Sequence, residues 1–371
     1  MKVTLIDSPE ELPDFEERWE SLRRECGGTV FASNYLTRAW FEGYGHIAEP
    51  RVIVVEDGGD LVGVAPLTTY QYRIGKLPVK VLALAGEMRD RLRLSTTSLL
   101  FMPERKDILD LMMREIKRLD WNLFTMINLV STPANTTLIE EVRTSWQSYD
   151  FPPGRMLTAH FTEGGRLFDT LDTKTKKNIR YRLNLLEREG HHIEFRRLPA
   201  DGIDQAVDLY AKHHIERWAS KGGSYFQNPD NVRYLKLSTA SSYRAGIGHV
   251  FELLIDGRIA AQDFDILDGE TCYGDKTGMS NDFLRYSPGW LVMMHAMDQL
   301  QDRGAKRCVM GIGGESYKYE MGGVESPLIG IRATRGLVAV LSKVSASPLV
   351  QKVSTRLGFK GDEVAVNVPR T

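Results

Sequence analysis

His249-Val-Phe-Glu-Leu-Leu-Ile-Asp-Gly-Arg-Ile-Ala-Ala-Gln-Asp-Phe-Asp-Ile-Leu267 reads as a β-hairpin. Two apolar runs flank Asp256-Gly257, a dipeptide suited to the tight turn between antiparallel strands. The first half repeats this order at Arg51-Val-Ile-Val-Val55, the turn Asp57-Gly58-Gly59-Asp60, and Leu61-Val-Gly-Val-Ala65. Outward from each hairpin the order also agrees. Two helical stretches precede it, carrying Phe15, Trp19 and Trp40 in the first half and Tyr210, Trp218 and Tyr234 in the second. A strand, a helix and a buried strand follow it. Residues 79–85, 108–119 and 123–130 match 271–277, 290–300 and 307–312 in this sense. Shared order with little residue identity predicts two copies of one α/β domain, each a mixed, mainly antiparallel sheet flanked by helices.

Phe151-Pro-Pro-Gly154 is the best linker in the chain. The expected domains are therefore 1–153 and 154–345, with a strand and helix at 333–344 and a tail at 346–371. A helix is expected at 9–24, with Ser8 as its cap, Pro9 in the first turn and Gly27 beyond its end. Leu12, Phe15, Trp19 and Leu22 make its apolar face.

The length of 371 residues suits two domains. Lys and Arg total 48 against 49 Asp and Glu, so the net charge is −1. That balance excludes the global basicity of a non-specific nucleic-acid binder, though not a local basic patch. No apolar run is long enough for a membrane helix. The first residues lack the layout of a signal peptide, and the expected location is the cytoplasm. Cys26, Cys272 and Cys308 are too few and too far apart for a disulfide framework or a zinc site. There is no His-Glu-x-x-His pattern, so no metal is expected.

Four segments carry chemistry. Ser287-Pro288-Gly289 stands between a strand and a helix, with Trp290 next. Serine can cap a helix, proline suits its first position, and glycine lets a ligand approach the exposed amides, which favours a phosphate. Residues 173–182 form a basic helix in an otherwise neutral chain. There Lys176 and Lys177 share a side with Arg180 and invite an anionic ligand. On one helix, His214 and Trp218 are four apart and can stack, while His213 and Arg217 share another stripe. Histidine's ordinary pKa suits it to general base work. Gly311-Ile-Gly-Gly-Glu-Ser-Tyr-Lys318 follows a strand and puts Glu315, Tyr317 and Lys318 at its C-terminal end, but lacks a full dinucleotide fingerprint.

Lys174–Gly190, His214-Ile-Glu-Arg-Trp218, Tyr286-Ser-Pro-Gly289 and Gly313–Lys318 together resemble, in order and spacing, the CelD/BcsL-type acyltransferases of the GNAT superfamily, relatives in fold of the Fem-type aminoacyltransferases. The resemblance implies two tandem GNAT-like domains, with the second catalytic. It implies an acyl-CoA donor such as acetyl-CoA, its pyrophosphate near Ser287, Pro288, Gly289 and Trp290. It implies transfer to an amine or hydroxyl of a small-molecule, saccharide or peptide acceptor, in cell-envelope or exopolysaccharide assembly. His214, Asp275 and Glu315 are then the candidate catalytic groups. Lys177, Arg180, Arg217, Trp218, Tyr317 and Lys318 are the candidate substrate contacts. One departure stands out: where the family has an acidic residue in the preceding strand, this chain has Cys308-Val309-Met310, and Asp275 is the candidate substitute. The alternatives are a Fem-like transferase using aminoacyl-tRNA, favoured by the basic helix, and a binding module that kept the fold without catalysis.

Overall fold

The computed structural model describes residues 1–336 apart from 75, 76, 89, 90, 93 and 163, together with 338 and 339. In chain order the first part contains β1 (Lys2–Ile6), α1 (Glu16–Glu25), α2 (Asn34–Tyr44), β2 (Glu49–Pro50), β3 (Val52–Asp57) and β4 (Asp60–Ala65). It continues with β5 (Leu67–Ile74), β6 (Leu77–Leu84), β7 (Leu100–Phe101), α3 (Lys106–Arg118), β8 (Leu123–Val130), α4 (Pro133–Ser145) and β9 (Gln147–Asp150). Next come β10 (Gly154–His160), α5 (Leu167–Thr170), α6 (Thr173–Arg188), β11 (Ile193–Arg197), α7 (Ile203–Trp218) and α8 (Pro229–Arg244). The last are β12 (Gly248–Ile255), β13 (Arg258–Asp268), β14 (Thr271–Met279), α9 (Pro288–Gln301), β15 (Arg307–Ile312), α10 (Ser316–Glu320) and β16 (Val324–Thr334).

The chain divides into two units. Asp90–Leu92 and Arg155–Ser326 form one; Met1–Arg89, Arg93–Gly154 and the described residues from Pro327 onward form the other. The last segment departs from the sequence expectation, which gave residues up to 345 to the second domain. The reason is strand pairing: Leu328–Thr334 run antiparallel to β8, and Ile331–Thr334 also pair with β9. The sequence reading also passed over β5, β10 and most of β16. Of the strand and helix expected at 333–344, and of the tail at 346–371, most lies outside the described residues.

In the first unit, β1, β3, β4 and β7 form one sheet, and β2, β5, β6, β8 and β16 pair in that order in another. Only β6 and β8 are parallel. Helices α3 and α4 bury Ile108, Met112, Leu138 and Val142 against Ile53, Leu82, Phe124 and Ala333. The expected helix at 9–24 is instead a 3₁₀ segment, Pro9–Phe15, leading into α1. Pro13 lies inside that segment and has no N–H for a regular helical bond. Ser8 does not cap it; its hydroxyl goes to Glu10.

In the second unit the sheet order is β11-β12-β13-β14-β15-β10. The β12–β13 hairpin turns on Asp256 (φ 51°) and Gly257 (φ 75°), both left-handed, as the tight turn between twisted strands requires. Asp172 caps α6 by accepting the Thr175 N–H at 2.8 Å, and Asn228 with Pro229 starts α8. The core packs α9 (Leu291, Val292, Ala296, Leu300) against Phe251, Leu253, Ala261, Cys272 and Cys308. β14 and β15 run parallel, paired at Thr271–Arg307, Cys272–Cys308 and Tyr273–Val309. Pairing ends there, although β14 continues to Met279 and β15 to Ile312. Two strands that stop pairing leave a wedge with free backbone groups, and that wedge positions the site.

Candidate active site

A pocket of about 420 Å³ opens in the second unit. The free end of β14 supplies Thr277, Gly278 and Met279. One wall is α7, through Tyr210, His213, His214, Arg217 and Trp218. The start of α9 adds Ser287, Gly289 and Trp290, and Tyr317 closes the side toward α10. Two glycines make this shape possible. A Cβ on Gly278 would lie 2.5 Å from the Tyr210 ring, and one on Gly289 would lie 2.2 Å from Met279 Cε.

The α9 start departs from the sequence expectation in one respect. Ser287 occupies the cap position but is left-handed (φ 53°, ψ 50°), and its hydroxyl makes no cap hydrogen bond. The Ser287 carbonyl accepts the Trp290 N–H at 3.0 Å and Pro288 has no N–H, so the Gly289 amide is the first-turn donor left for a ligand, and no acidic residue lies in that turn. Beside it, Arg217 Nη1 and His213 Nδ1 are buried without a hydrogen-bond partner. Helix dipole, guanidinium and the Gly289 amide together favour an anion.

His214 stacks on Trp218, with centroids 5.7 Å apart and planes at 16°. Its Nδ1 lies 2.7 Å from Ser224 Oγ, which also accepts the Phe226 N–H. Burial, with smaller contributions from Lys276 and Arg217, pushes its pKa down to about 4. The ring is therefore neutral at pH 7. It can accept a hydrogen bond, but it stores a proton poorly.

The other expected residues are placed differently. Asp275 is absent from the pocket lining, and its Oδ1 lies 2.5 Å from Lys276 Nζ. Glu315 pairs with Lys318 at 2.7 Å. Lys318 is only 3% exposed and donates to the Ile312 carbonyl at 2.8 Å, so it holds the β15–α10 corner together. Pro288 is buried in the helix start. Lys177 and Arg180 are exposed on α6, and the Arg180 guanidinium sits 5.2 Å from the Phe168 ring centre. Helix α6 reaches the site through another residue, as Arg182 donates to the Arg285 carbonyl just before Ser287. The pocket thus brings together His214, Arg217, Trp218, Ser287, Gly289, Trp290 and Tyr317.

Residues 173–319, less than half of the chain, match the family described as acetyltransferase (GNAT) domain. Over its length the chain is similar to the crystal structure of FemX (TM-score 0.61, 12% identity, 89% of this chain and 97% of that one). The fold is two tandem GNAT-like domains. A conserved protein of unknown function from Bacteroides thetaiotaomicron VPI-5482 is also similar (TM-score 0.57, 13% identity, 90% and 100% covered). So is the C-terminal domain (DUF2156) of a putative lysylphosphatidylglycerol synthetase from Agrobacterium fabrum (TM-score 0.51, 12% identity, 92% and 97% covered). At such identities the likeness is one of fold. No protein with a curated description matches the sequence. Among the described residues, no helix is long and apolar enough to cross a membrane, and no group of three or more His, Cys, Asp or Glu could hold a metal ion.

The sequence reading missed several lining residues, among them Tyr210, Thr277 and Met279. It also missed Asp263 and Asp265, which lie behind Thr277 on β13. Their signal was present: two carboxylates two apart in a largely apolar strand point to one face.

Proposed function

We propose that this chain transfers an acyl group from an acyl-CoA donor, acetyl-CoA being the simplest, to an amine or hydroxyl acceptor. The observation that carries this reading is the pocket where β14 leaves β15, which ends on the uncapped start of α9. The family match over residues 173–319 supports it. The residues present suit such a donor. The Gly289 amide and the unpartnered Arg217 Nη1 suit phosphate oxygens. Trp290, Met293 and Met279 suit an apolar arm. When bound, the donor supplies a thioester carbonyl for attack. His214 and Trp218 would hold the acceptor against that carbonyl, with the His214 ring neutral as a hydrogen-bonding partner. Tyr317, whose burial pushes its pKa up to about 12, stays protonated and can donate to the developing oxyanion.

A saccharide or peptide of the cell envelope fits the acceptor class, and the pocket's aromatic wall of Tyr210 and Trp218 suits such a substrate. Titration calorimetry of the full chain with acetyl-CoA, beside an aminoacyl-tRNA mimic, tests the donor. Saturable binding of acetyl-CoA at micromolar concentration is expected. Binding of the tRNA mimic alone would replace this reading with a Fem-like one, and binding of neither would leave a non-catalytic module.

A further inference from the structure

Two buried carboxylates lie behind the pocket with no role assigned so far. Asp263 and Asp265 are 3% and 5% exposed, and they project to the same face of β13. Among the described residues neither forms an ion pair, and Asp265 Oδ2 has no hydrogen-bond partner. Two desolvated carboxyls side by side cost stability, and only one of them ionises readily. Burial raises both above the ordinary carboxylate range; the Thr277 hydrogen bond pulls Asp263 part of the way back, and the Asp263 charge raises Asp265 further. The titratable groups around them include Asp275, Cys272 and Cys308 in the sheet, His249 opposite Asp265 on β12, Tyr210 from α7, Tyr243 from α8 and Tyr317 from α10.

One hydroxyl connects this pair to the pocket. Thr277 stands opposite Asp263 in the β13–β14 register and donates to Asp263 Oδ1 at 2.5 Å. Thr277 also lines the pocket beside the start of α9, with its methyl 3.7 Å from where a Gly289 Cβ would be. With its proton given to Asp263, the Thr277 oxygen keeps lone pairs that can accept a hydrogen bond.

We infer that Thr277 and Asp263 form the proton relay that deprotonates the acceptor in this pocket. The inference rests on the acyl-transfer reading. The acceptor nitrogen or oxygen forms a bond to the acyl carbon, and the carbon–sulfur bond breaks. The proton lost by the acceptor goes to Thr277 Oγ1 as the Thr277 proton passes to Asp263 Oδ1. The departing thiolate takes its proton from water. After product leaves, the Asp263 proton returns through Thr277 to solvent. Asp275 and Glu315 are held in ion pairs, and His214 stores a proton poorly, which leaves this path for the proton. Burial, which pushes the Asp263 pKa up to about 7, keeps its proton exchangeable near neutral pH.

Asp263→Asn, Thr277→Val and Thr277→Ser test the relay in the full chain, with acetyl-CoA as donor probe. Two readouts are needed: calorimetric acetyl-CoA affinity, and thiol release with a panel of primary amines or water as acceptor. The relay requires affinity within about twofold of native, with thiol release down roughly 100-fold in Asp263→Asn and Thr277→Val and restored in Thr277→Ser. Release within threefold of native in both impaired variants overturns it. Carbon-13 NMR titration of labelled aspartates gives a readout without turnover. One carboxyl signal titrating near neutral pH should vanish in Asp263→Asn and move in Thr277→Val. An Asp263 carboxyl that stays ionised from pH 5 to pH 9 overturns the relay. Native protein that binds no acetyl-CoA overturns the acyl-transfer reading itself, and the relay with it.

Discussion

In the first unit, β6 and β8 are parallel and pair at Val81–Leu123, Leu82–Phe124 and Ala83–Thr125. Beyond that point the chain fills its own gap. Glu87, 7% exposed, accepts the Ile127 N–H at 2.6 Å. The helix that follows, α3, has Asp107 in its first turn, tied to Arg105. In the second unit the same pair of strands, β14 and β15, parts beside an open pocket, and the first turn of α9 carries no acidic residue. The strand carrying Asp263 and Asp265, β13, has its counterpart in β4, whose buried residues Leu61, Val64 and Ala65 are apolar. One architecture thus serves two ends. A carboxylate placed at the splay satisfies the backbone internally; a glycine-rich splay leaves that backbone for a ligand.

The largest effect should come from giving the second unit the first unit's helix start. Gly289→Asp puts a carboxylate in the first turn of α9, as Asp107 does in α3. Acetyl-CoA affinity should fall by roughly 100-fold, because a fixed negative charge opposes a phosphate at the positive end of a helix. Gly289→Ala measures what the Cβ costs by displacing Met279. Asp107→Gly in the first unit should leave affinity unchanged. Equal affinity in Gly289→Asp, measured by calorimetry, would break the contrast between the two helix starts.

A smaller effect, on stability alone, should follow from opening the first unit. Glu87→Ala leaves the Ile127 amide buried without its acceptor, at a cost of roughly 2 kcal/mol. Urea unfolding should report that loss while acetyl-CoA affinity stays at the native value. A change in affinity would mean that the first unit takes part in donor binding.

The repeat was legible because hairpins declare themselves by apolar runs and Asp-Gly turns, and both are sequence-local. The end of the second unit was not, because Leu328–Thr334 find their partners about two hundred residues earlier in β8, a pairing that no local pattern encodes. At the site, the α7 motif and the α9 start were legible from residue type and spacing. Lys318 was misleading for a physical reason. A lysine near a glycine-rich loop reads as a ligand contact, but here the buried ammonium is occupied by the Ile312 carbonyl and Glu315. Ser287 has the residue type of a cap but not the backbone for it. Asp263 and Asp265 were readable as a pair on one strand face, but whether that face is buried cannot be told until the strand's neighbours are known.

The smallest effect tests whether the acidic face of β13 is kept at the expense of stability. The Asp265 carboxyl is raised above its ordinary pKa by burial, with the Asp263 charge adding to it. A raised folded-state pKa means the native state holds the proton more tightly than the unfolded chain. Its stabilising contribution is complete below the unfolded pKa, near 3.9, and is lost as pH rises through the folded value. Asp265→Asn removes that dependence. The variant should be more stable than native by roughly 1 kcal/mol at pH 8, with the gain shrinking toward zero near pH 4. The first unit's β4 carries no buried carboxylate, so Val64→Thr there, which buries a hydroxyl, should only destabilise, at every pH. Denaturant unfolding at pH 4.5, 6 and 8 checks this. A pH-independent gain for Asp265→Asn would mean that the carboxyl is not protonated in the fold, and that β13 does not hold the proton that distinguishes the second unit from the first.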